Sequence, residues 1–313
     1  MKNLLKENYR SICFFTLVLF ASCSRGEEQP KAGVIVEGET SGKVTILCDQ
    51  SIYDLLKAPV RMFDSTYDEA EVILENAPAR RAMGELLSGK AKGIIIARDY
   101  LADEDSLMKA YGVSKHERQM IAKDGLVFFT NRSFAIDTLN REQLKSVITA
   151  KNMTLKSMFP VLQAEPVFAI SDQNSSEYAN LLKLVTNGAS PEHSFKTFQS
   201  TDSVKALVRS NPNVIGIGYL SHVALDTNFK LLKIGFKNDS TGKYVTPKIV
   251  HQSHIVMGNY PFVVPIYSFM LENRVKQPAW GLFSFLRTDK NVQLYFKNMG
   301  IVPAFAKFEL IEE

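Results

Sequence analysis

Cysteine is scarce, with three in 313 residues, at positions 13, 23 and 48. Two of them fall in the first 23 positions, so no disulfide framework holds the fold together. Charge of one sign is also lacking: Lys and Arg total 37 against 33 Asp and Glu, a formal +4. No basic block interleaved with aromatics occurs, which argues against a nucleic-acid partner. The usual catalytic signatures are missing, including Cys-x-x-Cys, the Gly-x-Ser-x-Gly elbow and the P-loop. His116-Glu117 begins like a zincin motif, but Met120 stands where the second ligand belongs, and Ser106 with Lys109 lacks companion motifs. The five histidines (116, 193, 222, 251 and 254) are scattered and suggest no metal site. No catalytic residue, metal or cofactor is expected, and the chain does not read as an enzyme. At about 150 residues per domain, the length suggests two domains or one fold of two lobes.

A long apolar run is absent after the first 21 residues, and the one that is present is short. Lys2, Lys6 and Arg10 precede the apolar stretch from Ile12 to Ala21. A membrane span needs about 20 such residues, so this has the shape of a secretory signal. Ala21, Ser22 and Cys23 resemble the lipobox of bacterial lipoproteins, in which the cysteine is lipidated and becomes the first residue. That resemblance implies a signal peptide over 1–22, an acyl (palmitate-type) anchor on Cys23, a polar tether over 23–41 and a folded part facing the periplasm or cell exterior. With Cys13 removed and Cys23 acylated, Cys48 has no internal partner.

From Lys43 onward, short apolar runs alternate with helical periods, which argues an α/β fold. Strands are expected at Val44–Leu47, Gly93–Ala97, Gly125–Thr130, Val167–Ile170 and Val214–Tyr219. A helix with Ile52, Leu55, Leu56, Val60 and Phe63 on one face should be bent or interrupted by Pro59. Asn140 with Gln143 forms a capping box. Tyr178, Leu181, Leu182 and Val185 repeat at helical spacing and stop at Gly188. The end of the chain reads as two short helices and a strand over 301–308.

Two strand-to-helix corners carry chemistry. Asp49-Gln50-Ser51 closes one strand and opens a helix, and Ser171-Asp172-Gln173-Asn174-Ser175-Ser176 does the same further on. Helix N-termini present unpaired N–H groups and attract anions, although Ser and Asn at such places also serve as ordinary caps. Arg98, at the end of a buried strand, supplies a guanidinium where α/β folds tend to bind ligands.

The order of these pieces resembles the phosphate-type substrate-binding proteins of ABC transporters, within the periplasmic-binding-protein-like superfamily. The resemblance runs from Lys43 to Ile311 through Asp49-Gln50-Ser51, Gly93 to Leu101 with Glu104, Ile121 to Leu126, Asn211 to Gly216, Tyr260-Pro261-Phe262 and Gly300 to Ala304. It implies a type II fold of two lobes, each a mixed sheet flanked by helices and joined by two crossover segments near 125–131 and 255–264. Lobe one would comprise 42–126 plus 258–313, and lobe two 127–257. Ligand contacts carried over by position are Gln50, Ser51 and Arg98 from lobe one, with Asp172, Asn174, Ser175 and Ser176 from lobe two. Arg98 and the 174–176 corner are thereby expected to converge on one pocket.

The resemblance implies a monomer that captures a small oxyanion, phosphate first, for an ABC transporter permease. The chain departs from the family at the second corner, where phosphate binders commonly carry Arg-x-x-x-Ser-Gly-Thr. Ser171 takes the Arg place, Ser176 the Gly place and Glu177 the Thr place. A lost arginine and a gained carboxylate weaken a phosphate site by charged hydrogen bonds of about 1.5–3 kcal/mol each. The alternative is a lipid-anchored interaction or sensing module of the same fold that no longer binds phosphate.

Overall fold

The chain alternates strand and helix from its first described element. The structure is a computed structural model that describes residues 37–271 and 277–305. The expected signal peptide, Cys23 and most of the tether lie outside the described residues. β1 (Gly42–Asp49) leads into α1 (Tyr53–Thr66), β2 (Ala70–Ala77) into α2 (Ala79–Leu87), and β3 (Gly93–Ile96) into α3 (Ala102–Ala110). A 15-residue strand, β4 (Glu117–Asn131), follows. After it come β5 (Thr138–Asn140), α4 (Arg141–Thr149), α5 (Leu155–Met158), β6 (Val167–Ser171), α6 (Ser176–Asn180), β7 (Lys196–Phe198) and α7 (Thr201–Ser210). Then come β8 (Val214–Tyr219), α8 (Leu220–Val223), β9 (Phe229–Leu231), β10 (Lys233–Lys237), β11 (Tyr244–Val245) and α9 (Gln252–Val256). The chain returns through β12 (Val263–Met270), α10 (Pro278–Thr288), α11 (Lys290–Asn298) and β13 (Val302–Pro303).

The main sheet runs in the order β2-β1-β3-β12-β4-β8-β6-β7. β1 pairs parallel with β2 and β3, and β6 pairs parallel with β7 and β8. β4 connects these two parallel groups. Its residues 117–125 pair antiparallel with β12, whereas residues 126–131 pair with β8 and β9. The exchange of partners falls at Gly125, opposite Val263, and Leu126, opposite Tyr219. The result is an α/β fold, as the sequence pattern argues, in which two mixed half-sheets are flanked by helices, as the resemblance implies.

All four residues of β3 are buried, as a strand covered by helices on both faces requires. Gly216 is there for packing: a Cβ at this position would lie 2.5 Å from the Phe129 ring. That contact by itself accounts for glycine at position 216.

Four local expectations change. α1 continues through Pro59, whose ring is buried on the same face as Leu55, Leu56, Val60 and Phe63. Burial of that face outweighs the lost backbone hydrogen bond. The strand expected at Gly125–Thr130 is the second half of β4, because its more polar first half (Glu117 to Asp124) carries no clear alternation. The helix expected through Tyr178 to Val185 is α-helical only to Asn180 and becomes a π-helical turn at Leu181–Val185. That change of winding leaves Leu181 and Val185 buried and Tyr178 and Leu182 half-buried, and such turns gather at functional sites. Of the closing strand expected over 301–308, Val302–Pro303 forms one and residues 306–308 lie outside the described residues.

Candidate functional site

β1, β6 and β8 direct their C-terminal ends toward one seam, and polar side chains from both half-sheets meet there. Asp49 ends β1 and is fully buried. Its Oδ1 accepts the Ser51 amide at 3.0 Å and its Oδ2 the Ala97 amide at 3.2 Å. Ser51 stands just before α1, but the N-cap is Ile52, which makes no side-chain cap. The Ser51 hydroxyl is therefore free to reach across the seam, and it donates to Oε2 of Glu177.

Glu177 lies in the first turn of α6. Ser175 caps that helix by accepting the Tyr178 amide at 3.1 Å. A carboxylate in a first turn suits the helix dipole, but this one is fully buried and has three hydroxyl donors. Besides Ser51, Ser171 donates to Oε1 at 3.2 Å and Thr201 donates to Oε1 at 3.0 Å. Burial raises the Glu177 pKa against the opposing pull of those donors. Burial, followed by the nearby charge of Glu177, raises Asp49 as well.

Further bonds close the seam on either side. Ser176 accepts the Tyr219 hydroxyl at 2.7 Å and is itself hydrogen-bonded to Asp49. The Asn180 side-chain Nδ2 donates to the Ala97 carbonyl at 2.7 Å and to the Tyr219 hydroxyl at 2.8 Å. His222 Nδ1 accepts the Tyr219 amide at 3.1 Å, and its Nε2 meets the Ser51 carbonyl at 2.5 Å. At the outer edge the Arg80 amide donates to the Asn174 carbonyl at 3.2 Å. Beside the Glu177 cluster lies an open pocket of about 770 Å³, lined in part by Gln50, Ser51, Ser171, Thr201, Lys205 and His222.

The site residues expected from the sequence divide sharply. Ser51 and Ser176 sit at the seam. Gln50 lines the pocket, with an Nε2 that has no partner. Ser175 is a helix cap. Asp172 accepts the Asn174 amide at 2.6 Å and builds the turn before α6, while the Asn174 side chain is exposed.

Arg98 does not meet the 174–176 corner. Its Nη1 and Nη2 each bond Glu104 at 2.8 Å, Nη1 also donates to Asp99 O, and the guanidinium is 3% exposed. An acid six residues along the same wall takes the guanidinium. Sequence reasoning did not place Asn180, Thr201, Tyr219 or His222 at the site, and it read Glu177 as suited to the helix dipole but repulsive to a bound dianion. The available signal was the departure from the pattern that the resemblance implies, with Ser171 at the arginine place and Glu177 at the threonine place. Among the described residues no cluster of potential metal ligands occurs, and no helix is long and apolar enough to cross a membrane.

Comparison with known proteins gives the same fold. A phosphate-bound substrate-binding protein from Clostridium perfringens superposes with a TM-score of 0.69 at 16% identity, covering 84% of this chain and 99% of the other. An ABC-type phosphate transport receptor from Vibrio cholerae superposes at 0.63 with 14% identity, covering 84% and 100%. In sequence, the phosphate-binding protein PstS of Staphylococcus saprophyticus is 25% identical over 194 residues, or 61% of this chain. The match spans 58% of that relative's length. All three are named as binding proteins or receptors, and none as an enzyme. The family model for the PBP superfamily domain matches residues 36–286, and with the fold just described it shows that the chain belongs to this superfamily of two-lobed binding proteins.

Proposed function

We propose that the chain is a lipid-anchored, extracytoplasmic solute-binding protein that takes a small oxyanion, phosphate first, between two lobes and passes it to an ABC-type permease. The observation that carries this reading is the convergence of hydroxyls from both walls, Ser51 on one and Ser171 and Thr201 on the other, upon a single buried oxyanion, the Glu177 carboxylate. The names of the relatives point to phosphate as the external counterpart. The lobes are 42–126 plus 258–313 and 127–257, and the exchange of β4 partners at Gly125 and Leu126 supports that division. The protein acts as a monomer, and Cys23 carries its lipid.

Titration calorimetry with phosphate, sulfate and molybdate tests the reading, and an absence of heat with all three, in protein shown to be folded, ends it. A second reading, an interaction or sensing module of this fold without phosphate binding, draws on the seat being filled from within and on Asp49 beside it. A protein that stays shut in every anion but engages a membrane partner would establish that alternative.

A further inference from the structure

We propose that Glu177 is an internal ligand, whose carboxylate occupies the oxyanion seat and clasps the two walls in the ligand-free protein, so that an incoming oxyanion binds by displacing it. The inference rests on the capture reading above and adds a competitor built into the chain.

The donors carry the first part of the argument. Local backbone caps involve none of the three hydroxyls that serve Glu177. The N-cap of α1 is Ile52, and that of α7 is Ser200, whose hydroxyl accepts the Ser203 amide. Ser171 ends a strand. Three separate segments thus present hydroxyls to one point from two walls, which is how a binding site is arranged around an anion. The group at that point is a carboxylate from the chain's own helix.

The second part is room. Ser51, Ser171 and Thr201 also line the open pocket of about 770 Å³. Rotation of the Glu177 side chain toward this space would release all three donors together. The bonds from His222 to Ser51, from Asn180 to Ala97 and from Arg80 to Asn174 are made without Glu177. The walls therefore keep contacts that hold the seat in shape during the exchange. One oxyanion replaces another on the same hydroxyls, while Asp49 and the displaced carboxylate remain close and oppose the newcomer.

Two measurements on the full folded chain decide the matter. In the first, phosphate is titrated into wild type and Glu177→Thr, which puts back the hydroxyl commonly found at this place. The variant is expected to bind at least about tenfold tighter, since an internal competitor and its charge are both gone. Equal affinities overturn the proposal. In the second, hydrogen exchange of the Ser51, Ala97 and Tyr219 amides is followed without ligand in wild type, Glu177→Ala and Glu177→Gln. Faster exchange at all three amides in the alanine variant is expected, while the shape-conserving glutamine variant, which keeps an acceptor for the hydroxyls, exchanges no faster than wild type. Exchange unchanged in both variants overturns the proposal whatever phosphate does. Faster exchange with no phosphate bound by either wild type or Glu177→Thr upholds the internal ligand and overturns the capture reading, so the two fail separately.

Discussion

The imidazole of His222, on one side of the seam, donates Nε2–H to the carbonyl of Ser51 on the other, 2.5 Å away. The Tyr219 amide donates to Nδ1, so the neutral Nε2–H tautomer satisfies both neighbours, and a second proton would break the Nδ1 bond. Burial accordingly lowers the His222 pKa, against the opposing pull of the Ser51 carbonyl and of Asp124.

A lowered histidine pKa contributes stability that is fully present above the ordinary value of about 6.5 and is lost as pH falls through the depressed one. Asp49, Asp124 and Glu177 are raised by burial and act in the opposite sense, contributing most in acid and least as pH rises. Comparison with a His222→Ala variant isolates the histidine. The variant should lose about 1–3 kcal/mol near neutral pH, where it strands the Ser51 carbonyl and the Tyr219 amide. Its deficit against wild type should shrink toward about pH 5, as the wild type loses the same contribution. Urea unfolding at several pH values reads this directly, and a deficit constant across the range would contradict it.

Glu177 offers the converse experiment. Its raised pKa means that the folded state holds a proton at pH values where the unfolded chain has released it. Its contribution is therefore full below the ordinary value of about 4.3 and is lost as pH rises through the raised one. Glu177→Gln keeps the shape and removes the ionisation. The variant should melt higher than wild type at neutral pH, each kcal/mol appearing as about 2–4 °C, and the gap should close toward about pH 4. A variant that melts lower at neutral pH would show that the ionised carboxylate stabilises the seam.

The fold was legible because its signals are local and repeated. The apolar runs at Val44, Gly93, Val167 and Val214, and the capping box at Asn140 and Gln143, each mark an element without reference to distant residues. The site was legible only at its corners. Ser51 and Ser176 stand where strand ends open into helices, a position that sequence marks. Thr201 and His222 reach the seam from α7 and α8, and nothing in their own neighbourhoods shows that β4 brings those helices opposite Ser51. Arg98 misled for a related reason: a guanidinium at a strand end is a good ligand group until an acid six residues later takes both of its Nη atoms. Whether a charge faces a cleft or a neighbour depends on packing between elements, which periodicity does not record.

The proposed anchor is tested by where the protein partitions. Cys23→Ala should abolish incorporation of labelled palmitate and move the protein from the detergent-rich to the aqueous phase of a cloud-point separation. Acyl chains contribute about 0.8 kcal/mol per buried methylene to membrane binding, and no described helix replaces them. Unchanged partitioning would show that another segment holds the membrane.

Arg98 and Glu104 form a buried, two-bonded ion pair whose side chains are 3% and 5% exposed. Removing one member strips the other of its two-bonded partner, which costs up to about 3–5 kcal/mol, less the single contact that Arg80 Nη1 keeps with Glu104 at 3.1 Å, whereas neutralising both together costs much less. Arg98→Met alone should therefore destabilise strongly. Adding Glu104→Gln, which still accepts the Leu101 amide at the start of α3, should recover much of the loss. Arg98→Lys should recover little, because an ammonium cannot make the paired Nη contacts. Since no Arg98 bond reaches the Glu177 seat, the double variant should retain whatever phosphate affinity the wild type has, to within about twofold, a change of only about 0.4 kcal/mol. Denaturant unfolding and calorimetry on the same preparations separate the two roles: a large loss of affinity at intact stability would return Arg98 to the ligand contacts.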